Sequence, residues 1–123
     1  AKTPIEYCER NYSKKGAQFY SSGLPSKMAD FSVMSGTFNF APDLTVNAWR
    51  NYLFSSLNSI WNLTRCSMIF NLMISNEDKI TSQSISYIRQ ETILNFCQSN
   101  FGATSKYFSS KLPREITLCI SKI

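Results

Sequence analysis

The 123-residue sequence predicts an α+β domain in which an antiparallel sheet packs against one main helix, about residues 44–62, and two disulfides hold the layers. Three observations lead there. One segment has a clear helical apolar stripe, several others alternate apolar and polar residues as strands do, and four cysteines are spread along the chain without metal-ligand spacing. The length fits a single domain, 1–123, with a real but modest core.

Residues 1–30 are polar and punctuated by Gly16, Gly23 and Pro25. They read as a short strand around Ile5–Cys8 followed by irregular loop. Phe31-Ser-Val33-Met-Ser35 alternates and reads as a strand. Gly36 breaks it and Phe38-Asn-Phe40 resumes it, the pattern of a bulge or a tight bend. Ala41-Pro42-Asp43 is a stop followed by a helix start, with Asp43 or Thr45 able to cap the first turn.

Val46, Trp49, Leu53, Leu57, Ile60 and Trp61 then share one face of a 3.6-residue helix, while Asn47, Arg50, Asn51 and Ser55 take the other. Two tryptophans on one such stripe are read as core. Cys66, Met68, Phe70, Leu72 and Ile74 recur every second residue. Apolar Ile69 and Met73 between them mark a buried, central strand. Ser75 to Lys79 is a turn, and a returning strand from Ile80 follows.

Residues 80–101 carry conflicting signals. Ile85/Tyr87 and Thr92/Leu94/Phe96 alternate, and the Ser, Thr and Ile content favours strand. Asn100-Phe101-Gly102 looks like a helix end. The reading adopted is β. Gly102 to Ser110 reads as loop, and Ile116-Thr-Leu118-Cys-Ile120 as a last strand with Cys119 on the face opposite its apolar residues.

Composition mostly excludes. The chain contains no histidine, which removes Ser-His-Asp and Cys-His catalysis and most catalytic zinc sites. Glycine-rich phosphate loops are missing from a sequence with 4 glycines, and no stretch is apolar enough to cross a bilayer. No cofactor and no metal are expected. Thirteen basic against 8 acidic residues give a net charge of +5, which favours acidic partners or serves solubility alone. The eight acids leave carboxylate chemistry open, for instance Glu6 or Glu9 converging with Glu91 or Glu115; solvated surface acids are the plainer account.

Four cysteines allow three pairings, and the one expected is Cys8–Cys119 with Cys66–Cys97. Such bridges, a start at Ala1 rather than methionine, and the glycosylation sequons at Asn11 and Asn62 together suggest a processed, secreted protein. The candidate binding site is the N-terminal group Tyr7, Arg10, Tyr12, Lys14 and Lys15. Its aromatic and basic residues suit stacked bases and phosphates of single-stranded nucleic acid, or simply a loop laid over the sheet.

Glu6-Tyr7-Cys8 near the start, with Cys119 near the end, resembles the Y-x-C pattern of secreted effectors from powdery mildew fungi, with the departure that Tyr7 directly precedes Cys8 where the pattern has one residue between. Many of those resemble small ribonucleases, with one helix on an antiparallel sheet and a disulfide joining the two ends. The resemblance covers the layout and two cysteines. The stretch before the helix is longer than in the pattern, Cys66 and Cys97 are extra, and the ribonuclease histidine has no counterpart. It implies a non-catalytic virulence protein, secreted and delivered into host cells, that binds a host protein (an immune receptor among them) or RNA. Two alternatives come from other classes. One is a secreted helical signalling protein of cytokine type, which needs 80–101 to be helical. The other is a small carboxylate-dependent hydrolase or membrane-active toxin.

Overall fold

The computed structural model describes residues 3–12, 16–102, 104–109 (backbone only) and 113–122. Its architecture is α+β, with elements in the order α1 (Pro4–Tyr12), β1 (Ala29–Met34), α2 (Val46–Asn62), β2 (Thr64–Met73), β3 (Lys79–Ile80), β4 (Ser86–Tyr87), α3 (Gln90–Phe101), β5 (Thr104–Ser109) and β6 (Glu115–Ser121). Strands β1-β2-β6-β5 form one sheet in that spatial order, and β3 and β4 form a separate two-stranded ribbon.

The main helix forms where its stripe predicts. Thr45 is the N-cap, its side chain accepting from the Ala48 N–H, whereas Asp43 adopts a left-handed φ of 59° and leads into the turn. Trp49, Leu53, Leu57 and Ile60 are buried on one side of α2. They pack over Met68, Phe70 and Leu72 of β2 and Ile116, Leu118 and Ile120 of β6, within one continuous core. The Trp49 indole N–H donates to the Phe38 carbonyl at 3.0 Å, so the largest core side chain keeps no unsatisfied donor.

Five expectations are corrected. The sheet is mixed, not antiparallel throughout: β1 runs parallel to β2, while β2–β6 and β5–β6 are antiparallel. Helix α2 is the reason. It carries the chain back along the sheet and Leu63 alone turns it into β2, so β2 starts beside the start of β1; the Ala29 N–H bonds the Leu63 carbonyl at 2.9 Å. Residues 5–8 are helical, not a strand. Thr3 and Glu6 bond each other's backbone N–H groups reciprocally (3.2 and 3.3 Å), and Pro4 opens the first turn, a capping box that locally encodes α1.

Within 80–101, only Lys79–Ile80 and Ser86–Tyr87 are strands, and Gln90–Phe101 is helix α3, closed by Gly102 at φ 56°. Its buried Ile93, Cys97 and Phe101 lie four residues apart on the core side. Half-buried Phe96 stacks on Phe54 of α2 at 3.9 Å, and Phe101 packs on Trp61 at 4.8 Å. Contact with α2 as well as the sheet spreads the apolar residues of α3 over a wide arc, which blurs its period. Residues 104–109, expected as loop, form β5 against β6.

The fifth correction concerns sulfur. Cys8, Cys66, Cys97 and Cys119 are all free thiols, so neither Cys8–Cys119 nor Cys66–Cys97 is bonded. Their positions explain much of this. Cys8 sits on α1, which buries no residue, Cys97 is sealed in the core on α3, and Cys119 alternates onto the sheet face that the core does not use. The end-to-end bridge and the antiparallel layout that the effector resemblance implies are thus replaced by a mixed sheet with two helices on one face.

Candidate functional site

The expected N-terminal group is only partly drawn together. Tyr7, Arg10 and Tyr12 all lie on α1. At about 100° per residue Tyr7 and Arg10 are near neighbours on one face, but Tyr12 is turned about 140° from Tyr7. Lys14 and Lys15 lie outside the described residues. Asn11 is exposed on α1, its side-chain amide donating to the Tyr7 carbonyl. Asn62 is exposed at the end of α2, whereas Thr64 of the same sequon is fully buried. The Thr64 hydroxyl bonds the Ile60 carbonyl at 2.7 Å and the Ser32 hydroxyl at 2.6 Å, so the turn from α2 into β2 accounts for that threonine.

Five of the eight acids are committed elsewhere. Glu6 caps α1, Asp30 pairs with Arg65, Asp78 with Arg50, Glu91 with Arg89, and Glu115 accepts from Asn71. Among the described residues no group of three or more cysteines or acids is placed to hold a metal ion. Likewise no helix among them is long and apolar enough to cross a membrane. A polar cleft of about 470 Å³ lies between the end of β2, Lys79, the start of α3 and Arg114.

The most distinctive surface is the sheet face turned away from α2 and α3. On β6, and on β2 from Ser67 onward, buried residues alternate with partly exposed ones, which puts Ser67, Ile69 and Asn71 beside Ser121, Cys119 and Thr117 on the outer side. Register carries β1 into the same surface, with Phe31 opposite Ser67 and Val33 opposite Ile69. Phe31 is 62% exposed and Val33 68%. Beside Ile69 they form a contiguous exposed apolar patch, the kind of surface that marks an interaction site.

The charged side chains described on this face are held by polar partners. Arg65 and Asp30 form an ion pair at 2.7 Å at one end. At the other, Glu115 is bonded by the Asn71 side-chain amide at 2.9 Å, and the Asn71 oxygen accepts from the Gly36 N–H. Between them, hydroxyls of Ser67 and Ser121 bond each other at 2.8 Å. The result is an apolar strip of Phe31, Val33 and Ile69, rimmed by internally satisfied polar groups. Comparison with protein-family models, with curated proteins and with solved structures gives no match.

Sequence reasoning singled out Phe31 and Val33 only as strand residues. The alternation that made them recognisable as β-structure is also the signal that one side of the strand faces outward. What the alternation leaves open is which side the helices cover, and that depends on the second helix, α3.

Proposed function

We propose that this chain is a non-catalytic binding protein that docks a partner protein on the uncovered face of its sheet. The wider setting in which we place it is that of the secreted effectors it resembles: a virulence protein exported by its producer and acting on a host protein. The observation that carries the binding reading is the exposure of Phe31 and Val33 beside Ile69 on a face whose described charged side chains are bonded to a neighbouring ion or amide. An apolar centre with a satisfied polar rim is the anatomy of a protein interface. A surface for nucleic acid needs unpaired cations to meet phosphates, and Arg65, the cation described on this face, is paired with Asp30. Burying Phe31 and Val33 against a partner would contribute about 1.5–3 kcal/mol each.

A photo-crosslinking residue at Phe31, in extract from a candidate host, would identify the docked protein. The purified partner is then titrated against the wild type and the double variant Phe31→Thr, Val33→Thr. An affinity loss of about tenfold or more supports the reading. Unchanged affinity, or crosslinking to RNA in place of protein, overturns it.

A further inference from the structure

We infer that β1 is a docking edge, and that its partner is an extended segment of another protein that adds to the sheet as a fifth strand. This rests on the binding reading above and names the form of the ligand. β1 stands first in the sheet and is paired on one side only, with β2. From Phe31 to Met34 the pairing is regular, the register irregularity falling before Phe31. One row of its backbone groups therefore has no strand partner among the described residues. Edge strands of natural proteins are normally blunted by charge, proline or a cover. Here the outward side chains over this stretch are Phe31 and Val33, and the nearest charge, Asp30, is occupied by Arg65.

A second observation extends the edge. Residues 18–29 enclose a predominantly apolar groove of about 430 Å³, lined by Tyr20, Leu24, Pro25 and Met28 and ending at Ala29, the first residue of β1. A strand laid along Phe31–Met34 and continued past Ala29 would bring its next side chains to this groove. A second copy of the chain fits poorly. If two β1 strands paired antiparallel, the residues following Met34 in the second copy, Ser35, Gly36 and Thr37, would meet the groove, and they are too small and polar to fill it. The edge and groove together suit a foreign segment with apolar residues at alternate positions, recognised by backbone bonds along β1 and by side chains on Phe31, Val33 and the groove.

The test uses a displayed library of random nonapeptides selected on the full chain. Enriched peptides should carry apolar residues at alternate positions and bind less well to Phe31→Thr, Val33→Thr. A synthetic copy of the best binder, N-methylated at alternate backbone amides in the two registers, should lose about tenfold or more in affinity in one register. It should also slow amide exchange in β1 when unmodified. If substitution weakens binding but neither methylated register does, the sheet face binds and the edge inference fails. Binders insensitive to both changes overturn the face reading and the edge inference alike. Failure to enrich any binder, or concentration-dependent pairing of the chain that excludes peptide, overturns the edge inference alone.

Discussion

The Asp78 carboxylate binds the Arg50 guanidinium at 2.7 Å and, through its other oxygen, accepts the Arg89 backbone N–H at 2.8 Å. Arg50 belongs to α2, and Arg89 is the residue that opens α3, so one largely buried acid joins the two helices that cover the sheet. Asp78→Ala should cost about 1.5–3 kcal/mol, the range for hydrogen bonds to a charged group. Asp78→Asn should cost less, because it retains an acceptor. Urea unfolding of the two variants checks this; equal stability to the wild type in both would show that the junction is held by apolar packing alone.

The core should answer more strongly. Leu53 is fully buried, and Trp49 nearly so with its indole bonded to Phe38. Leu53→Ala should destabilise by about 2–5 kcal/mol and Trp49→Ala by about 3–5 kcal/mol. Thermal melts measure both, and an unchanged melting temperature in the pair would remove the packing of α2 on the sheet.

These residues were legible from the sequence because α2 meets the sheet along a single stripe, and a single stripe leaves a clean period. Strand β6 was legible for the matching reason, since only one side of it is in the core; β2 was legible as a central strand, although Ile69 and Met73 on its second face are only partly buried. Helix α3 was not. Ile93, Cys97 and Phe101 face the core while Leu94 and Phe96 pack against it from the flank, so apolar residues appear in both helical and alternating positions. The parallel pairing of β1 was readable in principle, because a long helix between two strands is what a parallel crossover requires. Of the binding surface, Phe31 and Val33 could be assigned to a strand but not to its outer side. That assignment depends on which face two separate helices choose.

The thiols should separate into two classes. Burial pushes the Cys97 thiol up to about 12 from an ordinary 9.0, so at mildly alkaline pH it stays protonated and sealed away. Under native conditions an alkylating reagent should modify Cys8, Cys66 and Cys119 before Cys97, which reacts only on unfolding; mass spectrometry counts the additions. The pH dependence follows in sign. Above pH 9 the unfolded chain loses this proton and the folded one does not, so stability falls as pH rises from about 9 towards 12. Replacing Cys97 with Ala should flatten that part of the pH profile, at the cost of a small cavity.

Helix α1 should come apart without the rest. Its capping box is local and it buries no residue, so it is held by its own ends more than by the core. Thr3→Ala should weaken it by about 1 kcal/mol, and Glu6→Ala should add to that by removing the reciprocal bond. Hydrogen exchange over residues 4–12 should accelerate in both variants while the global melting temperature holds. A matching drop in global stability would mean that α1 packs on the domain more firmly than its exposure indicates.

The outer face should tolerate what the inner face cannot. Threonine keeps the strand preference of β1, so Phe31→Thr and Val33→Thr change exposed apolar area without disturbing the ladder. Each should shift stability by no more than about 0.5 kcal/mol, the usual range for surface positions. Met34→Thr, one residue further along the same strand, places a hydroxyl in the core and should cost several times as much. Urea midpoints of the three variants give the contrast directly. Were Phe31 or Val33 as costly to replace as Met34, the face would have to be covered in the folded chain, and the surface offered to a partner would be part of the core.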